Sequence, residues 1–177
     1  KHFSIKHWRG LWQNSVERQC SYVTGYSATA PTTTPIYYFD VGGETPSLIG
    51  QIVVPDNPSP YFNVKRVQDF LVLLGSGGKV WVVNIQNPSA PVLASGAINL
   101  PTSGLLYWLS VGNEQTGVLV NEGVFIIRNS DLALAPNTPY TLIPPTQFSS
   151  TNFALNSRRA YVVDGALRQI SKYDFTT

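Results

Sequence analysis

The chain has 177 residues, of which only 12% are charged, against roughly a quarter in an average soluble domain. Its net charge of +2 is too small to favour nucleic acid or an anionic membrane as the main partner, and no apolar run is long enough for a transmembrane segment. The single cysteine, Cys20, excludes an intrachain disulfide and a cysteine-based zinc site.

The N-terminal part begins with three short strand-like pieces, at residues 2–6, 11–16 and 18–23. The chain starts at Lys1 and contains no methionine, which indicates either a processed precursor or a segment of a larger chain. Turn residues and aromatics are plentiful and no stretch has a helical period, so the composition predicts one all-β domain over residues 1–177.

The clearest element is a hairpin in the middle of the chain. Residues 80–85 are β-branched and aromatic, residues 87–91 form a turn with two prolines, and residues 92–99 form a second strand. Equivalent strands occur 44 residues earlier, at 36–41, and 44 residues later, at 124–127. A period in the forties with a strand pair in each copy predicts a β-propeller.

Each hairpin is followed by two more strand-like segments, which gives four strands per period, as a propeller blade requires. The predicted blades span residues 11–54, 61–99, 105–143 and 152–173. The last blade lacks a fourth strand, which residues 2–6 can supply, so we predict a four-bladed ring closed by both ends of the chain. The alternatives are a segment of a six- to eight-bladed ring and a two-sheet sandwich with coincidental spacing, of which the sandwich is disfavoured.

A recurring motif places Asp40-Val41 or Asn84-Ile85 at the end of a strand, followed by prolines and a second apolar strand. This pattern resembles the LVIVD repeat of bacterial and archaeal surface β-propellers. The third copy departs from it with Arg128-Asn129, and the fourth keeps only Ile170 and the preceding strand. The resemblance implies an extracellular or cell-surface location and no defined activity, whereas a weaker likeness to phage tail and nozzle propellers implies a virion component.

Residues able to carry catalysis are scarce. The only histidines, His2 and His7, do not have metal-ligand spacing, no Gly-x-Ser-x-Gly elbow is present, and the carboxylates are scattered singly. The glycine-rich turn at residues 75–78 precedes a strand, whereas a phosphate loop needs a helix. We predict no enzymatic activity, no catalytic residues, no metal and no cofactor. A propeller hydrolase or lyase would need an acid-base cluster in the central channel, where the sequence offers Asn63, Lys65, Ser110 and Asn156.

Four loops, at residues 7–10, 55–60, 100–104 and 144–151, join successive predicted blades and emerge at one end of a propeller, here called the connection face. Aromatic, amide and charged side chains on these loops suit a glycan or a protein loop, although the same residues could simply cap the blades. The predicted ligand-binding residues are Trp8, Arg9, Asp56, Asn57, Tyr61, Ser103 and Gln147.

The sequence therefore predicts a non-enzymatic binding or structural module that contacts a protein partner or a glycan and forms part of a homo-oligomer or larger assembly. The alternative binding surface is the opposite face, formed by residues 42–45, 86–90 and 130–136.

Overall fold

The computed structural model describes residues 20–24, 33–55, 64–102, 108–120, 122–143, 152–156, 159–164 and 169–174. Within these ranges the chain forms fifteen strands and a 3-10 helix, and the strands pair in four antiparallel sheets. We call the sheets blades 1 to 4 in chain order.

Blade 1 consists of β1 (Cys20–Thr24), β2 (Thr34–Asp40) and β3 (Ser47–Val54). Blade 2 consists of β4 (Val64–Val67), β5 (Phe70–Leu74) and β6 (Lys79–Asn84), with β7 (Val92–Leu93) and β8 (Ile98–Asn99) both paired to β6. Blade 3 consists of β9 (Trp108–Val111), β10 (Gln115–Val120), β11 (Gly123–Arg128) and β12 (Thr141–Ile143), and the 3-10 helix (Asn129–Leu134) follows β11. Blade 4 consists of β13 (Asn152–Leu155), β14 (Arg159–Asp164) and β15 (Gln169–Asp174).

The third strand of blade 2 shows how a sheet between two neighbouring blades is buried on both sides. Successive residues of a strand point to opposite faces of the sheet. Trp81 and Val83 of β6 pack in a cluster with blade 1, whereas Val80 and Val82 pack in a cluster with blade 3. We call these two sides of a blade its preceding face and its following face. The continuous apolar run of β6 follows from burial on both of them.

Three apolar clusters join successive blades. Ile36 and Val54 contribute blade 1 to the first cluster, Phe125 is fully buried in the second, and Phe153 and Val162 contribute blade 4 to the third. Within the part of the chain that the structure describes, no cluster joins blade 4 to blade 1. The described blades therefore form an array held together by contacts between neighbours, as in other repeat proteins.

The fourth strand of blade 2 differs from the prediction, which had one strand over residues 92–99. It is split into β7 and β8, although the backbone N–H of Ala94 still donates to the Val82 carbonyl at 2.9 Å. A Cβ on Gly96 would lie 3.3 Å from the Cβ of Pro136 in blade 3. The interruption lets the turn of the next blade approach closely, since glycine leaves room for it.

The predicted closure of the ring is not tested by the described part of the chain. Residues 2–6 and residues 11–16, predicted as the closing strand and as the first strand of blade 1, lie outside the described residues. Blades 1 and 4 accordingly have three described strands each, whereas blade 3 has four. Closure by residues 2–6 stays a prediction.

Candidate binding surface

The seven predicted ligand-binding residues all lie outside the part of the chain that the structure describes. They are Trp8, Arg9, Asp56, Asn57, Tyr61, Ser103 and Gln147. The structure therefore brings none of them into a measured arrangement, and their role stays a prediction. It does describe the strand ends and turns that frame their loops on the connection face.

The turn at residues 75–78 joins β5 to β6 on the connection face, as predicted for a hairpin. The N–H of Gly75 donates to the Lys79 carbonyl at 2.8 Å, and Gly78 has a φ of 77°. A Cβ on Gly78 would lie 2.7 Å from the Leu100 carbonyl oxygen, so only glycine fits at this position. The N–H of Leu100 donates to the Gly78 carbonyl at 2.9 Å, which fixes the point from which the loop carrying Ser103 leaves blade 2.

A second contact on this face connects blade 2 to blade 3. The Thr102 hydroxyl donates a hydrogen bond to Oε2 of Glu122 at 2.6 Å, and both residues are half-buried. Hydrogen bonds to a charged acceptor are among the stronger ones in proteins. The Glu122 carboxylate therefore ties the segment that leaves blade 2 to the turn between β10 and β11 in blade 3.

The motif residues Asp40 and Asn84 lie at the last position of β2 and of β6, on the opposite face. Oδ1 of Asp40 accepts a hydrogen bond from the N–H of Gly42, and Oδ1 of Asn84 accepts one from the N–H of Gln86, each at 2.9 Å. Side chains of this type commonly close a turn by bonding to the backbone two residues on. The repeated Asp or Asn is thus explained by turn formation, without a ligand.

Blade 3 places a different side chain at this point, because Arg128 occupies the last position of β11 and Asn129 follows it. Asn129 is only 2% exposed. Its Oδ1 accepts from the Thr116 hydroxyl at 2.7 Å, and its Nδ2 donates to the carbonyls of Gly112 and Asn113 at 3.1 and 3.2 Å. Sequence reasoning treated this position only as a departure from the motif and missed the buried network.

The described polar groups do not form an acid-base cluster. Asn63 lies outside the described residues, and the Ser110 hydroxyl accepts a hydrogen bond from the N–H of Leu155 at 3.2 Å. Lys65 is half-buried and Asn156 is exposed. Among the residues that the structure describes, no group of three or more His, Cys, Asp or Glu side chains could hold a metal ion.

Three described groups have displaced pKa values. Burial raises the pKa of Tyr22 to about 12, and its hydroxyl oxygen is buried without a described hydrogen-bond partner. The exposed Asp174 carboxylate lies 2.7 Å from Nε of Arg159 and 3.3 Å from Nζ of Lys172. The hydrogen bond from Arg159 lowers the pKa of Asp174, and the same bond raises the pKa of Arg159. Tyr22 lies in blade 1 and the Arg159–Asp174 pair lies in blade 4, so the displaced pKa values do not mark one shared site.

No family model matches this chain, and no curated protein matches it in sequence. Solved structures do match it in fold. A protein from Lactobacillus plantarum superposes with a TM-score of 0.66 and 14% identity, covering 90% of this chain and 50% of that chain. The N-terminal domain of Nup159, a β-propeller, superposes with a TM-score of 0.50 and 7% identity, covering 87% of this chain and 41% of that one.

The fold is therefore a β-propeller of four-stranded blades, as the 44-residue period predicted. The chain spans half or less of the length of these two solved structures. In the described ranges, no helix has the length and apolarity needed to cross a membrane.

Proposed function

We propose that this chain is a non-enzymatic binding or structural module of an extracellular or cell-surface assembly, which contacts a protein or a glycan through its connection face. The observation that carries the proposal is that the described polar side chains at both faces hold turns and neighbouring blades in place. Such an arrangement supports rigidly positioned loops, and loops on a rigid scaffold commonly carry binding residues.

The proposed contact residues are Trp8, Arg9, Asp56, Asn57, Tyr61, Ser103 and Gln147. Trp8 and Tyr61 would contribute most, because aromatic rings bury a large area on contact at little cost in side-chain entropy. Arg9 would add charge complementarity in the part of the chain that holds most of the positive charge. The hydrogen bonds at Gly78 and Thr102 fix the point where the loop that carries Ser103 leaves blade 2. They support this proposal, since an anchored loop loses less conformational entropy on binding.

The proposed extracellular setting rests on the resemblance of the repeated motif at Asp40 and Asn84 to the LVIVD repeat. The closing hydrogen bonds of Asp40 and Asn84 support a repeated turn motif, because both side chains occupy the same place in their blades. A virion role is the second candidate, favoured by the low charge and by loops rich in Thr, Ser, Asn and Gly. Co-purification with capsid or tail proteins would distinguish the virion role from the first proposal.

A glycan array and a pull-down from the native source test the binding proposal, each with the wild-type chain and a Trp8→Ala/Tyr61→Ala variant. We expect the variant to lose at least about tenfold in affinity, as for central aromatic anchors. Tyr140→Ala is the matched control, because it removes a 40% exposed ring that lies just before β12, at the opposite face. Binding retained by the double variant and lost in the control would move the site to the opposite face.

A further inference from the structure

The first strands of blades 2, 3 and 4 lie side by side around the central channel. Each of them, β4, β9 and β13, forms one edge of its sheet, and β9 contacts both of the others. Between blades 3 and 4, the backbone N–H of Leu155 donates a hydrogen bond to the Ser110 hydroxyl at 3.2 Å. A side chain of one first strand thus satisfies a backbone donor of the next.

Lys65 of blade 2 is the structural equivalent of Ser110 of blade 3. Each lies three residues before the two-residue turn that joins the first and second strands of its blade, at residues 68–69 and 113–114. Lys65 points toward blade 3, because it pairs with Val72, which packs in the cluster shared with that blade. Its side chain is half-buried and makes no ion pair with the described residues. A positive charge therefore replaces a hydroxyl at this point of the channel wall.

Val111 of blade 3 is equivalent to Leu155 of blade 4, because each comes directly before the residue whose N–H closes the turn. The closing bond from Gly112 to the Gln115 carbonyl, at 2.7 Å, fixes the alternation of hydrogen bonds along β9. The N–H of Val111 consequently points away from β10, as the N–H of Leu155 points away from β14 to reach Ser110. Beyond the sheet, the described residues make no hydrogen bond to the Val111 N–H.

The polar groups at this point between blades 2 and 3 are both donors. A lysine ammonium cannot accept a hydrogen bond, whereas the serine hydroxyl at the equivalent point of blade 3 can. The described first strands of blades 2 to 4 contain no carboxylate. The second cation of β4, Arg66, is exposed and donates from Nε to the Gln68 carbonyl at 3.0 Å. Positive charge and unpaired donors together favour an anionic ligand with oxygen acceptors.

We propose that the channel wall between blades 2 and 3 binds an oxyanion, which accepts from the Lys65 ammonium and from the Val111 N–H. A carboxylate and a phosphate group share this chemistry, since each offers a negative charge and several acceptor oxygens. The proposal concerns the channel and does not depend on what the connection face binds.

An NMR titration of the isotope-labelled 177-residue chain tests the site, with inorganic phosphate as the probe for a free ion. A blocked Gly-Asp-Gly peptide is the probe for a carboxylate on a larger ligand, and chloride keeps the ionic strength constant. We expect at least one of the two probes to shift the Val111 amide resonance to saturation. The probe that saturates at the lower concentration identifies the source of the anion.

Lys65→Met should weaken this binding at least about tenfold, because it removes the charge and keeps the length of the side chain. Arg128→Met is the matched control. It removes one positive charge from an exposed residue at the end of β11, away from the first strands, and should change the dissociation constant less than about twofold.

Lys65→Ser gives a readout that needs no ligand. A hydroxyl at position 65 restores the acceptor that Ser110 provides between blades 3 and 4. The Val111 N–H should therefore become more protected from hydrogen exchange than in the wild-type chain, whereas Lys65→Met should leave its exchange unchanged.

The site would be overturned if neither probe gave a saturable shift, or if Lys65→Met and Arg128→Met weakened binding equally. A Val111 N–H that is as protected as that of Leu155 in the anion-free wild-type chain would also contradict it. Another segment of the chain would then supply the acceptor.

Discussion

The turns that follow the third strands of blades 2 and 3 use the same amide side chain in two different ways. Asn84 ends β6, is exposed, and closes its own turn through the N–H of Gln86. Asn129 follows the last residue of β11, is buried, and connects to Thr116 and to the backbone of residues 112–113. A shift of one position along a strand reverses the direction of the side chain, which converts a local turn contact into a contact between strands.

The largest expected effect is for Asn129→Ala. The substitution leaves the fully buried Thr116 hydroxyl and the carbonyls of Gly112 and Asn113 without their partner, which should lower the free energy of unfolding by about 2–4 kcal/mol. Urea denaturation monitored by tryptophan fluorescence measures this loss in the free energy of unfolding. Ser130→Ala removes an exposed neighbouring hydroxyl and is the control, with an expected loss below about 0.5 kcal/mol. Equal losses in the two variants would contradict the role of Asn129.

Thr116→Val tests the same network from its other side. It keeps the shape of the side chain but removes the hydroxyl that donates to Asn129, so we expect a loss of about 1–2 kcal/mol. Combined with Asn129→Ala, the total loss should be clearly smaller than the sum, because both changes remove one shared hydrogen bond. Additive losses in the denaturation experiment would mean that the two side chains act independently.

Asn84→Ala should have a smaller effect than either change in blade 3. The lost hydrogen bond is local and exposed, so water can replace it, and we expect a loss of about 0.5–1 kcal/mol. Asp40→Ala removes the equivalent bond to Gly42 and should cost a similar amount. A loss for Asn84→Ala as large as that for Asn129→Ala would remove the distinction between the two turns.

Tyr22 extends the comparison to a buried polar group with no described partner. Tyr22→Phe should change stability by less than about 0.5 kcal/mol at neutral pH, because it removes an unsatisfied hydroxyl. The effect of Tyr22→Phe on the free energy of unfolding should appear at high pH. The Tyr22 pKa of about 12 lies above the ordinary value near 10, so between these values the unfolded chain loses a proton that the folded chain keeps.

Wild-type stability should therefore fall more steeply than that of the variant as pH rises from about 10 to about 12, and the two should respond alike below pH 10. Chemical denaturation at intervals across this range gives the comparison. Parallel curves for the two chains would show that the Tyr22 hydroxyl titrates alike in the folded and unfolded states.

Much of the blade pattern could be predicted from sequence because it depends on local geometry. The alternation of residues in β6, the prolines after Asn84 and the glycines at 75–78 act within a few residues, and the structure confirms the strands and turns that they predict. The split at Gly96 could not be predicted, since its reason is Pro136 in the neighbouring blade. The seven proposed contact residues lie outside the described part of the chain and remain predictions. Local sequence does not specify how loops from different blades meet.

The sequence by itself determined the repeat, the strand faces and the class of fold, because strand alternation and turn chemistry follow from the backbone. Tertiary structure alone decided which of the equivalent residues are buried. Leu119 and Val163 occupy the same place in the 44-residue period and in the pairing with the preceding strand, yet one is 1% exposed and the other 43%. The difference arises because burial requires a second sheet against the first, and a strand's own sequence does not specify whether that neighbour is present.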